Sequence, residues 1–259
     1  MPEGDTIHRT ATRLRPALQG AVVERFEAQR LVGTRPRAGE SVELVEARGK
    51  HLLIGFSGGL TLDTHMRMTG SWHLYRSGER WQRAAHLARV VIGVPGWSAV
   101  CFSAPVVRTF PTPGDREVHT PLDHLGPDLC RSDADLDDCA ARMASLGADV
   151  SVADALLDQR VCCGVGNVYK SEVCWACRVH PFDPVTSVDG ARQREMIATS
   201  ARLLQANLDT GTRTTVPGGL AVYGRRGRPC LRCGTAIRSR LGGDQARVTY
   251  WCPICQPPR

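Results

Sequence analysis

Lysine is scarce in this sequence. Only Lys50 and Lys170 are lysines among its 33 lysines and arginines. An enzyme that uses an amine as its nucleophile therefore has three candidates here, which are the two lysines and the N-terminus. The excess of arginine is explained by the codon usage of a GC-rich genome, so it indicates no function by itself.

Long apolar runs are also missing. No segment approaches the length needed to cross a bilayer, and the first residues include Glu3 and Asp5 instead of the apolar core of a secretory signal. The sequence therefore predicts a cytoplasmic protein with no membrane partner. In that compartment its 11 cysteines favour metal binding over a disulfide framework.

Acidic residues are rare in the last part of the chain. The formal net charge is +7, and residues 213–259 contain nine arginines and a single acid, Asp244. Such a concentration of positive charge favours a polyanionic partner such as nucleic acid. A membrane surface is more often bound by an amphipathic basic helix, whereas this tail is rich in glycine, proline and cysteine.

The apolar periodicity changes along the chain. Residues 5–19 have the spacing of an amphipathic helix with one apolar face. Short β-type runs follow, at 21–27, 42–47, 51–56, 60–65, 71–75, 87–93 and 98–102. Helical spacing returns between 133 and 208, where Asp133 and Ser151 are predicted N-caps.

This order of elements predicts an α+β protein in four parts. We expect an N-terminal β-sandwich or barrel with a flanking helix, then a linker rich in proline, glycine and aspartate. A helical domain and a small cysteine-rich module complete the chain. The predicted bounds of the four parts are 1–112, 113–126, 127–212 and 221–259.

Four cysteines near the end of the chain have the spacing of a zinc module. Cys230 and Cys233 form one C-x2-C pair, Cys252 and Cys255 form another, and 18 residues separate the pairs. Four thiolates bind one tetrahedral Zn²⁺ and leave no position for water, so we expect one structural ion. The segment is too short for a core of its own, and the residues between the pairs predict a hairpin that turns at 242–244.

Four other cysteines are predicted to be structural. Cys174 and Cys177 match half of a zinc motif, but no second pair complements them, and Cys162-Cys163 is a poor partner. We interpret all four as small, buried apolar residues.

The N-terminal residues are candidates for covalent catalysis. Methionine before a small residue such as Pro2 is usually removed, which exposes a secondary amine. The pKa of an α-amino group is about 8, so a useful fraction is unprotonated at neutral pH. Such an amine can form an iminium with a sugar C1′, and the neighbouring Glu3 can act as general acid or base. Many proteins begin with these residues, so the assignment needs support from the rest of the chain.

Motifs along the chain provide that support. They are MPEGDT at 1–6, ARGKHLL at 47–53, GVGNVYKSE at 164–172, and VYGR at 222–225 leading into the cysteine module. In this combination the chain resembles the Fpg/Nei family of bifunctional DNA glycosylases. It is nearer the Nei (endonuclease VIII) branch, where glycine follows the glutamate. The resemblance spans nearly the whole chain and implies the family's helix–two-turns–helix element in the helical domain.

The resemblance implies the catalytic residues. Pro2 is expected to displace the damaged base and hold the sugar as an iminium, which permits β- and δ-elimination. Glu3 is expected to protonate the sugar ring oxygen and to move protons. Lys50 and Arg247, both catalytic residues by this resemblance, are expected to bind DNA phosphates near the lesion, and Asn167 is expected to bind a phosphate at a turn between helices.

Other residues are expected to fill the space of the extruded base, because an enzyme that acts on a base must take it out of the duplex. Met68 matches the methionine of the family's H-L-G-M-S-G motif, and Arg108 and Phe110 have the R-x-F spacing of the Fpg-type wedge loop. The chain departs from the family at Asp5-Thr6, where Pro-Glu is usual. Asp5 either replaces that glutamate or only caps the helix.

Together these residues predict a DNA glycosylase/AP lyase of base excision repair, with damaged DNA as its partner. The segment 211–220 is shorter than the loop with which Fpg enzymes cap oxidised purines, so oxidised pyrimidines are the expected lesions. We expect a monomer in the cytoplasm, associated with the nucleoid. The alternatives are a zinc-dependent DNA-binding protein without catalysis, an Fpg-like preference for 8-oxoguanine, and an RNA-binding zinc-ribbon protein.

Overall fold

The chain forms two compact units in a computed structural model that describes residues 2–112, 119–242 and 247–259. The first unit ends at Asp123 and the second begins at His124. This division falls inside the predicted linker 113–126, of which 113–118 lie outside the described residues. The other domain bounds stay predictions.

Helix α1 (Gly4–Leu18) opens the first unit. Its apolar residues fall on one face, as their spacing predicted, and they are buried in the same core as the strands that follow. This face consists of Ile7, Ala11, Leu14 and Leu18. Burial of apolar area contributes roughly 25 cal/mol per Å², so the face fixes both the helix and the two residues before it on the core.

Two four-stranded antiparallel sheets follow α1. Their strands are β1 (Arg25–Ala28), β2 (Val42–Arg48), β3 (His51–Phe56), β4 (Leu60–His65), β5 (Ser71–Arg76), β6 (Ala88–Val94), β7 (Trp97–Phe102) and β8 (Val106–Pro111). One sheet has the order β2-β3-β4-β8 and the other the order β1-β6-β7-β5. Residues of both sheets share one core, for example Leu52 and Ile54 of β3 with Ile92 of β6. This arrangement confirms the predicted sandwich.

Strand β8 was not predicted from the sequence. It pairs antiparallel with β4, which places Arg108 opposite Asp63 and Phe110 opposite Thr61. An arginine and a phenylalanine two residues apart suggested a wedge loop at this point. The strand exists because β4 offers it a partner, and the periodicity of one segment does not show such a partner.

The second unit is helical and ends in a hairpin. Its helices are α2 (Leu136–Ala144), α3 (Val152–Leu157), α4 (Asn167–Ala176) and α5 (Gly190–Gln205), and its strands are β9 (Arg238–Gly242) and β10 (Arg247–Trp251). Strands β9 and β10 pair antiparallel, while the predicted turn beyond Gly242 lies outside the described residues. Apolar residues of these helices form one core. The predicted α+β class is therefore confirmed.

The helix starts show which predicted caps are used. The hydroxyl of Ser151 caps α3, as predicted. The cap of α2 is Asp135, whose carboxylate accepts from two backbone N–H groups of the first turn, whereas the predicted cap Asp133 binds Arg131 instead. Both carboxylates precede the same helix, so spacing alone did not distinguish them. Within the described residues, no helix has the length and apolar composition that a bilayer crossing needs.

Candidate active site

Pro2 and Glu3 lie immediately before α1. Pro2 is half-buried, whereas Glu3 is fully buried although it is an acid. The main-chain oxygen of Glu3 accepts from the N–H groups of Thr6 and Ile7 at 2.9 and 3.1 Å, but its side chain does not cap the helix. The backbone thus fixes Glu3 beside Pro2, at the start of a helix that is anchored in the core.

Asp5, which stands where the family usually has proline, is also fully buried. Its carboxylate accepts from the Thr6 hydroxyl at 3.3 Å and pairs with Arg9, one helical turn further on, at 3.3 Å. The N-cap position belongs to Glu3, so Asp5 does not cap the helix. Its bonds stabilise the first turns of α1, the helix that holds the N-terminal residues in place.

Lys50 lies in the tight turn between β2 and β3. Gly49 has a φ of 57°, a left-handed conformation that favours glycine, and Lys50 follows it, half-buried. The next residue, His51, begins β3, and its Nδ1 lies 2.9 Å from Oδ1 of Asp63 on β4. The other oxygen of Asp63 accepts from Nε of Arg108 at 2.8 Å. Asp63, which is fully buried, therefore contacts both Arg108 and the strand residue that follows Lys50.

Met68 lies on the turn between β4 and β5 and is 69% exposed. The backbone is closely packed at the end of the turn, because a Cβ on Gly70 would lie 2.8 Å from the Cα and the main-chain oxygen of Met66. The hydroxyl of Thr69 also donates to the main-chain oxygen of Ser103 at 3.0 Å. A flexible apolar side chain on a fixed turn suits the void-filling role, which stays a prediction.

His65 supports the same turn from the end of β4. Its Nδ1 accepts from the backbone N–H of Arg67 at 3.2 Å, and this contact requires an unprotonated nitrogen. Burial, together with the nearby charges of His51 and Lys50, lowers the pKa of His65 to about 4. The ring is therefore neutral at physiological pH and keeps its acceptor.

Arg108 and Phe110 lie in β8 and not on a loop. They are on the same face of the sheet as Asp63, to which Arg108 is paired, and Phe110 is 8% exposed. A phenylalanine ring that is buried in the protein presents no face to a DNA base. This placement argues against the wedge that the R-x-F spacing suggested, and the segment 103–105 is the loop that joins β7 to β8.

Asn167 is the first residue of α4 and follows the glycine-rich loop of the second unit. Gly164 in that loop has a φ of 107°, which only glycine adopts readily. The side-chain Nδ2 of Asn167 donates to the main-chain oxygen of Val248 on β10 at 3.0 Å. Asn167 is 7% exposed and begins a helix whose N-terminal end carries partial positive charge. Phosphates bind at such ends, and this role for Asn167 stays a prediction.

Arg247 is the first residue of β10, opposite Gly242, and is half-buried. It therefore lies at the end of the described hairpin nearest the turn, and residues 243–246 lie outside the described residues. On the same hairpin, the guanidinium of Arg240 lies 3.6 Å from the ring centroid of Phe182. Arg240 thus has an intramolecular partner, whereas the phosphate-binding role of Arg247 stays a prediction.

The four predicted metal ligands come together. The sulfurs of Cys230, Cys233, Cys252 and Cys255 lie within 4.8 Å of one another, with Cys230 and Cys255 3.9 Å apart and Cys233 and Cys252 3.4 Å apart. A tetrahedral ion with metal–sulfur bonds of about 2.3 Å separates its sulfurs by about 3.8 Å. The donor set and its spacing therefore fit one metal ion with closed coordination.

Helix α4 fastens this cysteine module to the helical core. Lys170 is 1% exposed, and its Nζ lies 2.7 Å from Oγ1 of Thr249 on β10. The indole Nε1 of Trp175 donates to Sγ of Cys230, and the guanidinium of Arg232 lies 3.7 Å from the Trp175 ring centroid. Since Lys170 is buried in these contacts, the amine candidates reduce to the other lysine and the N-terminus.

Glu172 was missed by the sequence analysis as a candidate residue. Its carboxylate is 1% exposed and accepts from the backbone N–H groups of Ala221, Val222 and Tyr223 at 2.8 to 2.9 Å, and from the Thr215 hydroxyl. A carboxylate bound by consecutive amides fixes the segment that enters the cysteine module. Glu172 belongs to the motif GVGNVYKSE, and its amide donors include residues of the motif VYGR. The sequence contains both motifs but does not show that they contact each other.

The four cysteines predicted to be structural are buried, as expected. They are Cys162, Cys163, Cys174 and Cys177. Burial raises the pKa of Cys174 to about 12, so this thiol stays protonated and packs as a small apolar group.

Comparison with known proteins gives the family. The formamidopyrimidine-DNA glycosylase N-terminal domain matches residues 1–105, and the formamidopyrimidine-DNA glycosylase H2TH domain matches residues 125–217. The chain is 42% identical to the probable endonuclease 8 2 of Streptomyces coelicolor, over 99% of this chain and 94% of that protein. It is 35% identical to the DNA-(apurinic or apyrimidinic site) lyase Nei2 of Mycolicibacterium smegmatis, over 99% of each protein.

Solved structures agree with this assignment. The MutM (Fpg) protein from Thermus thermophilus matches with a TM-score of 0.82 and 28% identity, over 100% of both chains. MutM in complex with DNA that contains carbocyclic 8-oxoguanine has the same fold, with a TM-score of 0.81 and 20% identity over 99% of this chain and 100% of that one. The resemblance seen in the sequence is confirmed, and the chain belongs to the Fpg/Nei family of DNA glycosylases and AP lyases.

Proposed function

We propose that this family member is a bifunctional glycosylase/AP lyase of base excision repair, with the amine of Pro2 as nucleophile and oxidised pyrimidines as favoured lesions. The N-terminus carries the proposal, because Pro2 precedes a core-anchored helix and the fully buried Glu3 lies beside it. Lys170, a competing amine, is buried against Thr249. Relatives named endonuclease 8 and AP lyase fit the same chemistry.

The proposed reaction begins once Met1 has been removed. The nitrogen of Pro2 attacks C1′ of the damaged nucleotide, the bond from C1′ to the base breaks, and the base leaves with the proton that the amine gives up. Glu3 then donates a proton to the ring oxygen as the C1′–oxygen bond breaks and the sugar opens to an iminium. Loss of a C2′ proton then expels the 3′ phosphate, and a second elimination expels the 5′ phosphate. Water hydrolyses the remaining iminium and restores the secondary amine.

DNA phosphates are the proposed ligands of three positions, each on a turn or at the end of an element. Lys50 lies on the β2–β3 turn, Asn167 begins α4, and Arg247 begins β10. Phosphate contacts of this kind position the DNA without reading its sequence. Binding should therefore weaken steeply with salt as counterion release loses its advantage.

Zinc is the proposed ion of the four-cysteine cluster. The ligands Cys230, Cys233, Cys252 and Cys255 complete a tetrahedral coordination, so the ion is structural and takes no part in the reaction. It supplies the stability that the short β9–β10 hairpin lacks on its own. The hairpin in turn holds Arg247 in place.

Base extrusion needs a side chain to occupy the gap, and we assign this role to Met68. It is 69% exposed on a turn that Gly70 and Thr69 hold in place. We do not assign this role to Arg108 and Phe110. They match the spacing of the family's wedge motif, but the ring of Phe110 is buried in β8. Loss of DNA affinity in Met68→Ala, greater for a damaged duplex than for an intact one, would support the assignment.

The proposed lesion preference is based on the short segment between α5 and the cysteine module. Within it, Val216 and Gly219 form a bridge, and Glu172 accepts from the Thr215 hydroxyl. A segment fastened in this way leaves little chain to cover a purine, which favours pyrimidines. A cleavage assay should show faster excision of thymine glycol or 5-hydroxyuracil than of 8-oxoguanine, and the reverse order would establish the Fpg-like alternative.

Borohydride trapping on an abasic duplex tests the proposed activity. The wild-type protein should form a stable covalent adduct, and intact mass spectrometry should show that Met1 is absent from active enzyme. Pro2→Gly should lower adduct formation, and Glu3→Gln should lower it by about 100-fold or more. The matched control is Glu27→Gln, an exposed strand carboxylate paired with Arg25, which should trap like the wild type.

The competing functions give different results in the same assay. A zinc-dependent DNA-binding protein without catalysis would bind the duplex and form no adduct, and an RNA-binding zinc ribbon would prefer RNA. We also propose that the protein acts as a monomer on nucleoid DNA in the cytoplasm. Light scattering of the isolated protein and of its DNA complex would test the oligomeric state.

A further inference from the structure

The buried carboxylate of Asp63 lies on β4, which pairs with β3, the strand that follows the Lys50 turn. We infer that Asp63 is a positioning residue that holds this turn in the geometry needed to bind a DNA phosphate. The inference rests on the proposed function, which assigns a phosphate to Lys50. It adds a residue that the family motifs in the sequence did not indicate.

Strand register brings the members of this network together. His51 lies opposite His65 across β3 and β4, and Asp63 lies opposite Arg108 across β4 and β8. Residues opposite each other on antiparallel strands share one face of the sheet. Asp63 can therefore reach His51 diagonally at 2.9 Å while it binds Arg108 directly at 2.8 Å.

The burial of Asp63 makes its contacts with His51 and Arg108 costly to break. Its side chain is fully buried, whereas those of His51 and Arg108 keep 13% and 28% of their surface exposed. A buried carboxylate is strongly disfavoured without partners, so breaking either contact carries a high cost in free energy. The pair of contacts therefore resists movement of the start of β3.

The connection from Asp63 to Lys50 runs through the backbone. The turn between β2 and β3 has two residues, Gly49 and Lys50, and His51 follows directly. A displacement of His51 must therefore shift Lys50. The carboxylate also offsets the positive charges that gather here, since Lys50 and Arg67 both lie close enough to lower the pKa of His65.

A double-mutant cycle tests this coupling. The variants are Asp63→Asn, Lys50→Ala and their combination, and the measured quantity is the Kd for a duplex with a tetrahydrofuran abasic analogue over a series of salt concentrations. Asp63→Asn should raise Kd about tenfold, the size expected for one lost charge-assisted contact. It should also reduce the slope of log K against log salt by about one, and it should have little further effect when Lys50 is already alanine.

A role limited to stability would give another pattern. Additive losses in the cycle, or an unchanged Kd and salt slope in Asp63→Asn, would overturn the inference. If Asp63→Asn does not fold, His51→Gln replaces it in the same cycle, because it leaves the contact of Asp63 with Arg108 in place. Glu27→Gln, at the exposed pair with Arg25, is the matched control and should change neither Kd nor slope.

The outcome is separable from that of the proposed function. A wild-type protein that binds the abasic analogue but forms no borohydride adduct would refute the lyase activity, and the cycle would still test Asp63. A cycle that is additive in an enzyme that traps normally would refute the positioning role alone. If Lys50→Ala binds as tightly as the wild type, the phosphate assignment and the inference fail together.

Discussion

The side-chain amide of Asn167 donates to the main-chain oxygen of Val248 at 3.0 Å. Val248 follows Arg247 directly in β10, so this bond links two of the proposed phosphate ligands. One is at the start of a helix and the other is on the hairpin of the cysteine module. Loss of the bond should therefore affect both positions.

We predict that Asn167→Ala weakens binding of an abasic duplex by about tenfold, because it removes a proposed phosphate ligand and loosens the strand that carries Arg247. Titration by fluorescence anisotropy measures the change. Gln205→Ala, which removes an amide bonded to the main-chain oxygens of Leu129 and Arg131, is the control. Equal losses in the two variants would point to general destabilisation instead.

Metal removal should disrupt the second unit and leave the first unit folded. We predict one zinc per chain. Chelation or Cys233→Ser should abolish DNA binding, because the β9–β10 hairpin loses the metal ion that stabilises it. The first unit should keep its β-type circular dichroism, since its core contains none of the four ligands. Cys101→Ala, at a cysteine buried in that core, should keep the full metal content, and zinc loss in this variant would contradict the assigned ligands.

Glu172→Gln should destabilise the entry to the cysteine module. The carboxylate accepts from three consecutive backbone N–H groups and one hydroxyl, and an amide in its place would have one acceptor oxygen and an NH₂ group facing donors. We expect a loss of about 1–3 kcal/mol in the free energy of unfolding, measured by denaturant titration. Glu195→Gln, at the exposed pair with Arg192, should change it by less than about 0.5 kcal/mol.

Stability should fall with acid in a way that depends on His65. Its pKa is lowered to about 4 in the folded protein, so between pH 6.5 and 4 the unfolded chain binds the proton more readily. The contribution of His65 to the free energy of unfolding should thus be complete above about pH 6.5. It should decline by up to roughly 3 kcal/mol as the pH falls to 4. In His65→Asn this component of the decline should disappear, whereas the exposed His86→Asn should behave like the wild type.

Local patterns in the sequence predicted the parts of this protein that depend on neighbouring residues. The apolar face of α1, the cap Ser151 and the pairing of cysteines three residues apart all follow from helix or turn geometry. The hairpin strands β9 and β10 were likewise expected from the spacing between the cysteine pairs. These features arise within a few residues, where the backbone leaves few alternatives.

Long-range pairing decided the rest. The sequence alone identified the candidate residues for the chemistry, namely a proline and a glutamate at positions 2 and 3, a lysine in a glycine turn and four cysteines. Only the tertiary structure showed that Arg108 binds Asp63, 45 positions earlier, and that Glu172 binds the amides of a segment about 50 residues away. The reason is physical, because a buried charge takes the partner that sheet register and packing bring to it, and neither is written in local spacing.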